Sequence, residues 1–238
     1  MSSDLSILAA TAASLGFIHT VLGPDHYLPF IAMSRSGKWS RRKTALVTLA
    51  SGLGHVLSSV VIGTIGIALG LAVTSLEALE SSRATIAAWM LIAFGLTYFA
   101  WGLHRALRQG AGRGHAHLHR AGIPHMHADA PAPPAHDEGH PRRAGRLTPW
   151  VLFTIFIFGP CEPLIPLLMY PAARQSTAGI VLVAAVFSSV TVLTMLAIVS
   201  LSSLGLRFLP AAKLERYSHA LAGLTILLCG VGIQALGL

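Results

Sequence analysis

Apolar residues run along this chain in blocks too long for the elements of an ordinary soluble domain. Against a template of about 20 residues, the length that crosses the hydrocarbon core of a bilayer, six spans stand out. They cover residues 5–34, 44–73, 84–104, 147–169, 177–203 and 217–237. The first two exceed a single crossing, which predicts tilt, a break or an interfacial piece. Residues 109–146 differ in kind: they are rich in Gly, Ala, Pro and His, show no apolar period, and predict a disordered linker. The expected organisation is an all-α integral membrane protein, with a three-helix unit over 1–108, the linker over 109–146, and a second three-helix unit over 147–238.

Composition agrees with lipid as the solvent. Hydrophobic residues make up 53% of the 238 positions and charged residues 11%. A soluble domain carries about 25% charged residues, so this chain cannot coat itself against water. The net charge of +8 would suit nucleic acid if it formed one continuous patch. Here the basic residues fall in short clusters between apolar runs, as in the loops of a membrane protein, so no nucleic-acid partner is expected. The two cysteines, Cys161 and Cys229, both lie in apolar segments and imply no disulfide framework. The N-terminus lacks a basic region and a small-residue cleavage site, so no removable signal peptide is expected.

The basic residues also predict sidedness. Arg35, Lys38, Arg41, Arg42 and Lys43 fall between spans 1 and 2. Arg105, Arg108, Arg113, Arg120, Arg142, Arg143 and Arg146 fall between spans 3 and 4, and Arg207, Lys213 and Arg216 between spans 5 and 6. Only Arg83 and Arg174 fall in the other two connections. Strict alternation supports six spans, and the positive-inside rule makes the three basic connections cytoplasmic, with both termini outside the cell membrane.

One motif occurs in both halves. Gly23-Pro24-Asp25-His26-Tyr27-Leu28 in span 1 matches Gly159-Pro160-Cys161-Glu162-Pro163-Leu164 in span 4, and a Ser-Ser-Val triplet follows each, at 58–60 and at 188–190. Three spans per half is an odd number, so the second half would sit inverted relative to the first, as in many transporters. Gly-Pro removes a backbone donor and disfavours helix before the proline. The prediction is therefore a 3+3 inverted repeat of six transmembrane helices with helices 1 and 4 broken, and a central site between the breaks. The simpler alternative is that the prolines only kink helices for packing.

Polar residues that are costly in lipid gather at these breaks. His19, Asp25 and His26 lie in span 1, His55 in span 2, and Cys161 with Glu162 in span 4. An ionisable group at mid-membrane costs about 2.5–3.5 kcal/mol even on the lenient insertion scale. A single buried histidine is usually a satisfied hydrogen-bonding residue, but three with carboxylates and a thiol suggest a metal site. His19 and His26 are two turns apart and share a helix face. Asp25 either ligates a cation or orients an imidazole. Gly52 and Gly54 let the helix of His55 pack closely on span 1. Imidazole with carboxylate or thiolate suits Ni, Co, Cu or Zn and not Mg or Ca. Seven further histidines, His115, His117, His119, His125, His127, His136 and His140, fall in the linker, where pairs two residues apart suggest metal capture.

These motifs resemble a known family. His19, Asp25 and His26 resemble the H-x4-D-H signature in a membrane helix of the nickel/cobalt transporters, and Gly54-His55 is similar to the L-G-H element that follows it there. Gly159-Pro160-Cys161-Glu162-Pro163 looks like the urease-accessory transmembrane and sulfite-exporter-like proteins of the lysine-exporter superfamily. The resemblance covers spans 1, 2 and 4 in short motifs. It implies a three-plus-three fold and assigns metal recognition to His19, Asp25, His26 and His55. The L-G-x-D-T-x-x-E element of the classical nickel permeases is absent.

The expected function is secondary transport of a divalent transition-metal ion, Ni²⁺ or Co²⁺, with His19, Asp25, His26, His55, Cys161 and Glu162 as candidate ligands. The metal is then the substrate, and no cofactor and no enzymatic activity are expected. The main rival is an exporter of sulfite or a related sulfur-containing anion, opposed by Asp25 and Glu162 and by the apparent lack of Lys or Arg inside any span. A thiol-electron carrier needs a cysteine in each half, whereas the position matching Cys161 holds Asp25. An intramembrane metalloenzyme could use similar ligands, but the repeat argues for alternating access. The sequence leaves assembly into a homo-oligomer open.

Overall fold

The computed structural model describes residues 3–111, 144–205 and 215–236. Among these the regular structure is entirely helical: α1 (Ser3–Leu22), α2 (Leu28–Ser36), α3 (Arg41–Ala68), α4 (Val73–Ala111), α5 (Ala144–Phe158), α6 (Leu164–Ala173), α7 (Thr177–Gly205) and α8 (Ser218–Leu236). Five helical stretches are long and apolar enough to cross a membrane, and they belong to α1, α3, α4, α7 and α8. The apolar helices α5 and α6 are shorter and together fill the fourth predicted span. Nearly all of the predicted linker, with its seven histidines, lies outside the described residues.

Both Gly-Pro sequences interrupt helix. Gly23 N–H makes the closing bond of α1 to His19 O (3.0 Å). Pro24 then has no N–H to continue the ladder, and residues Pro24–His26 form a single 3-10 turn before α2. Gly159 N–H likewise closes α5 on Ile155 O (3.1 Å), and α6 begins at Leu164. Elsewhere, local chemistry sets the helix ends. Ser40 caps α3 by accepting from Lys43 N–H (3.2 Å), and Gly70, at φ +67°, takes the left-handed turn between α3 and α4 that disfavours other residues.

The exterior is apolar and the interior partly polar, the reverse of a soluble domain. Leu46, Leu57, Ile65, Trp89, Leu193 and Leu228 are exposed, while Thr48, Ser51, His55, Ser59, Glu80 and Thr191 are buried. Ser59 and Glu80 bond one another there, whereas among the described residues Thr48 Oγ1, Ser51 Oγ, Thr191 Oγ1 and His55 Nε2 are buried without a hydrogen-bond partner. Small residues allow close helix contact. A Cβ added at Gly223 of α8 would collide with the backbone of Phe99 in α4, and one at Gly95 with the backbone of Leu227.

One helix boundary changes the reading of the charges. Helix α4 begins at Val73, not near residue 84, so Arg83 is no loop residue. It sits inside the helix and is buried beside Glu80. With Arg83 withdrawn, the charge asymmetry between connections becomes sharper. Three of the basic connections also meet at one end of the molecule. Lys38 Nζ bonds Glu215 Oε1 at 2.6 Å, and Arg216 Nε–H donates to Ala106 O at 2.7 Å. Asp4, near the start of α1, lines a groove with Tyr170, near the end of α6.

Candidate metal site

The two breaks and α3 bring three imidazoles together. His19 comes from the last turn of α1, His26 from the 3-10 turn, and His55 from the middle of α3. One nitrogen from each ring lies within 4.8 Å of the others. His26 meets His19 and His55 edge to face, with ring centroids 4.7 and 5.0 Å away, and the rings of His19 and His55 are nearly parallel at 6.5 Å. His26 and His55 are almost wholly inaccessible, at 3% and 2% exposure.

Hydrogen bonding leaves donor atoms free for a ligand. His26 Nδ1 lies 3.1 Å from Gly23 O, and His55 Nδ1 lies 3.3 Å from Phe156 O. A carbonyl only accepts, so each ring in its neutral form carries its proton on Nδ1 and presents a lone pair at Nε2. Among the described residues neither Nε2 has a hydrogen-bond partner, although both are buried. A buried polar atom without a partner costs about 1–3 kcal/mol. Two such atoms beside a third imidazole are the arrangement a cation would satisfy, because metal-bound histidines are held this way through their other nitrogen.

The glycine of each Gly-Pro pair makes room for one of these rings. A Cβ at Gly23 would lie 2.5 Å from His26 Nδ1, and one at Gly159 would lie 2.9 Å from His55 Nδ1. The repeated motif thus does more than break helix: it lets an imidazole lie against the bare backbone.

The remaining candidates take different positions. Asp25 Oδ1 lies 3.2 Å from His26 Nδ1, the nitrogen facing away from the unpartnered Nε2, which is an orienting position. Cys161 is fully buried and its Sγ lies 3.9 Å from His19 Nε2. Glu162 is exposed and lines the same cavity, of about 260 Å³, as His19, Asp25, His26 and His55, without joining the three converging nitrogens. Around a tetrahedral ion with bonds of about 2.0–2.1 Å, nitrogen donors sit roughly 3.4 Å apart. From separations of up to 4.8 Å, the imidazoles would need to close by up to about 1.4 Å to share one ion.

Sequence reasoning missed Glu80 and Arg83. The two form a buried ion pair within α4, and Glu80 is 0% exposed. The signal was present in the spacing: Leu76, Glu80, Arg83, Ala87 and Leu91 recur every three or four residues and are all buried. Reading two charges as the end of a loop hid that stripe. Arg83 also removes one argument against the anion rival, since a cation does lie inside a membrane-length helix.

The fold and site together define a helical protein with membrane-length apolar helices and a buried three-histidine cluster. Comparison with family models, with curated proteins and with solved structures finds no match to this chain. The resemblance to nickel/cobalt transporters therefore rests on the short motifs alone. Its spacing is also loose, because five residues, not four, separate His19 from Asp25.

Proposed function

We propose that this protein is a secondary transporter of a divalent transition-metal ion, Ni²⁺ or Co²⁺, across the cell membrane. The observation that carries this reading is the convergence of one nitrogen from each of His19, His26 and His55, two of whose rings hold a buried Nε2 without a partner among the described residues. Nitrogen donors favour late first-row metals over Mg²⁺ and Ca²⁺. Asp25 beside the cluster offsets positive charge, and Cys161, whose sulfur lies 3.9 Å from His19 Nε2 but outside the 4.8 Å histidine group, would be a softer fourth donor.

The six-helix 3+3 inverted repeat belongs to the same proposal, with α1–α2 and α5–α6 as the broken first helices of the two halves. Packing supports it: α1 lies on α7 as α5 lies on α3, and α4 pairs with α8. The Gly159-Pro160 and Gly23-Pro24 breaks each border a site histidine, as expected of a substrate site between repeats. The shared end of Lys38, Glu215, Arg216 and Ala106 is assigned to the cytoplasm, with both termini outside. The linker histidines would capture metal on that cytoplasmic side. The bilayer is the protein's other partner.

The anion reading finds no specific support. Arg83 is committed to Glu80, to two serines and to two carbonyl oxygens, which leaves little of its guanidinium for a substrate. Flux of nickel or cobalt into vesicles reconstituted with pure protein tests the proposal. His26→Ala should abolish it while the protein still inserts, and unchanged flux would remove the site assignment.

A further inference from the structure

Breaking a membrane helix frees backbone groups that lipid cannot satisfy, and the second break solves this problem with charges. Glu80 Oε2 accepts from Cys161 N–H at 3.0 Å and from Ser59 Oγ at 3.1 Å. Arg83 donates through Nη2 to Ser58 Oγ at 2.6 Å and to Ile157 O at 2.7 Å, with Gly159 O a longer, shared acceptor at 3.3 Å, and through Nη1 to Ser59 Oγ at 3.1 Å. Nη1 also pairs with Glu80 Oε1. One ion pair from α4, joined by two serines of α3, thus holds a carbonyl on α5, the Gly159 carbonyl at its end and the first N–H beyond Pro160.

The first break has no such clasp among the described residues. There the 3-10 turn supplies its own bonds, His26 N–H to Gly23 O and Tyr27 N–H to Pro24 O. The asymmetry is informative because the groups held at the second break adjoin the metal site on both sides. Gly159 lies against the ring of His55, and Cys161 puts its sulfur beside His19. Around one tetrahedral ion, a nitrogen and a sulfur donor sit roughly 3.6 Å apart, close to the 3.9 Å observed.

We propose that the Glu80–Arg83 pair is a positioning device that fixes the Gly159–Cys161 break, so that the Cys161 sulfur joins the three histidines as a metal ligand. The ion pair does not touch the metal. It acts by holding the Cys161 N–H and the Gly159 carbonyl, and with them the place of the sulfur. A fork of planar donors is needed to reach Glu80, Ser58 and two carbonyls at once, which a lysine cannot do. Outer residues that orient metal ligands are worth about 10–100-fold in affinity. The inference rests on the metal-site reading above.

The test is cobalt(II) binding to the purified full chain, read by the sulfur-to-cobalt charge-transfer band beside the ligand-field bands. Wild type and Cys229→Ser should show the charge-transfer band, and Cys161→Ser should lose it. Arg83→Lys, which keeps the charge, should lose most of that band and bind cobalt about 10–100-fold more weakly, with its ligand-field bands retained. The double variant Glu80→Gln/Arg83→Met removes both charges together, guards against a folding failure from one unpaired charge, and should behave as Arg83→Lys does. An undiminished charge-transfer band in both variants would overturn the positioning role while leaving the metal site standing. A wild-type protein that binds cobalt without the band would overturn the cysteine's part in it. A wild type that binds no cobalt would overturn the metal-site reading itself.

Discussion

His26 and His55 meet edge to face at 88°, 5.0 Å between ring centroids, each with Nδ1 on a backbone carbonyl and Nε2 buried without a partner among the described residues. Two elements far apart in sequence have to cooperate for this. The 3-10 turn after Pro24 offers the Gly23 carbonyl to one ring, and the end of α5 offers the Phe156 carbonyl to the other. The lone pairs are aimed by the backbone of the breaks.

Asp25 is placed to orient His26, so its removal should weaken the site without abolishing it. Asp25→Asn is expected to lower nickel affinity about 10–100-fold, as loss of an orienting partner does. Isothermal titration of the purified variant checks this. Complete loss of binding would make Asp25 a direct ligand, and an unchanged affinity would give it no part.

The glycines of the two breaks should behave as site residues although they carry no side chain. Gly23→Ala and Gly159→Ala each place a carbon against a buried imidazole, 2.5 Å from His26 Nδ1 and 2.9 Å from His55 Nδ1. Both are expected to weaken metal binding by on the order of tenfold, through displaced rings. Gly232→Ala, which meets nothing within 4 Å, serves as the control and should bind as wild type does. Equal affinity in all three variants would mean that the rings do not depend on bare backbone.

The buried ion pair makes an uneven stability prediction. Glu80→Ala leaves Arg83 charged and unpaired in the interior, which should cost about 3–5 kcal/mol. Glu80→Gln/Arg83→Met removes both charges and should cost less than that single change. Thermal unfolding in detergent, followed by circular dichroism, should place the double variant's Tm above that of Glu80→Ala. The reverse order would mean the pair is not behaving as one buried unit.

Much of this was legible in the sequence, and the misses have physical causes. Apolar runs gave the membrane-length helices because lipid demands about 20 residues of them, and Gly-Pro located both breaks because proline cannot continue the ladder. His19, Asp25, His26 and Cys161 were singled out by their cost in an apolar segment; the structure sets His19 and His26 against one another, with Asp25 beside His26 and Cys161 beside His19. His55 was a weaker candidate, yet it is one of the three converging histidines, with His26 between it and His19. Glu162, beside Cys161, is exposed and lines the cavity without joining the convergent nitrogens. Glu80 and Arg83 escaped because hydropathy counts charges against a span, whereas a pair three residues apart on one helix face can neutralise itself and be buried.

The central claim is that the cluster of His19, His26 and His55 binds a transition-metal ion, and equilibrium dialysis tests it most directly. Full-length wild type and His26→Ala/His55→Ala would be dialysed side by side against nickel, so that binding by the linker histidines is common to both. The double variant is expected to hold one nickel ion fewer per chain than wild type, with its helicity unchanged. Equal nickel content in the two proteins would contradict the account.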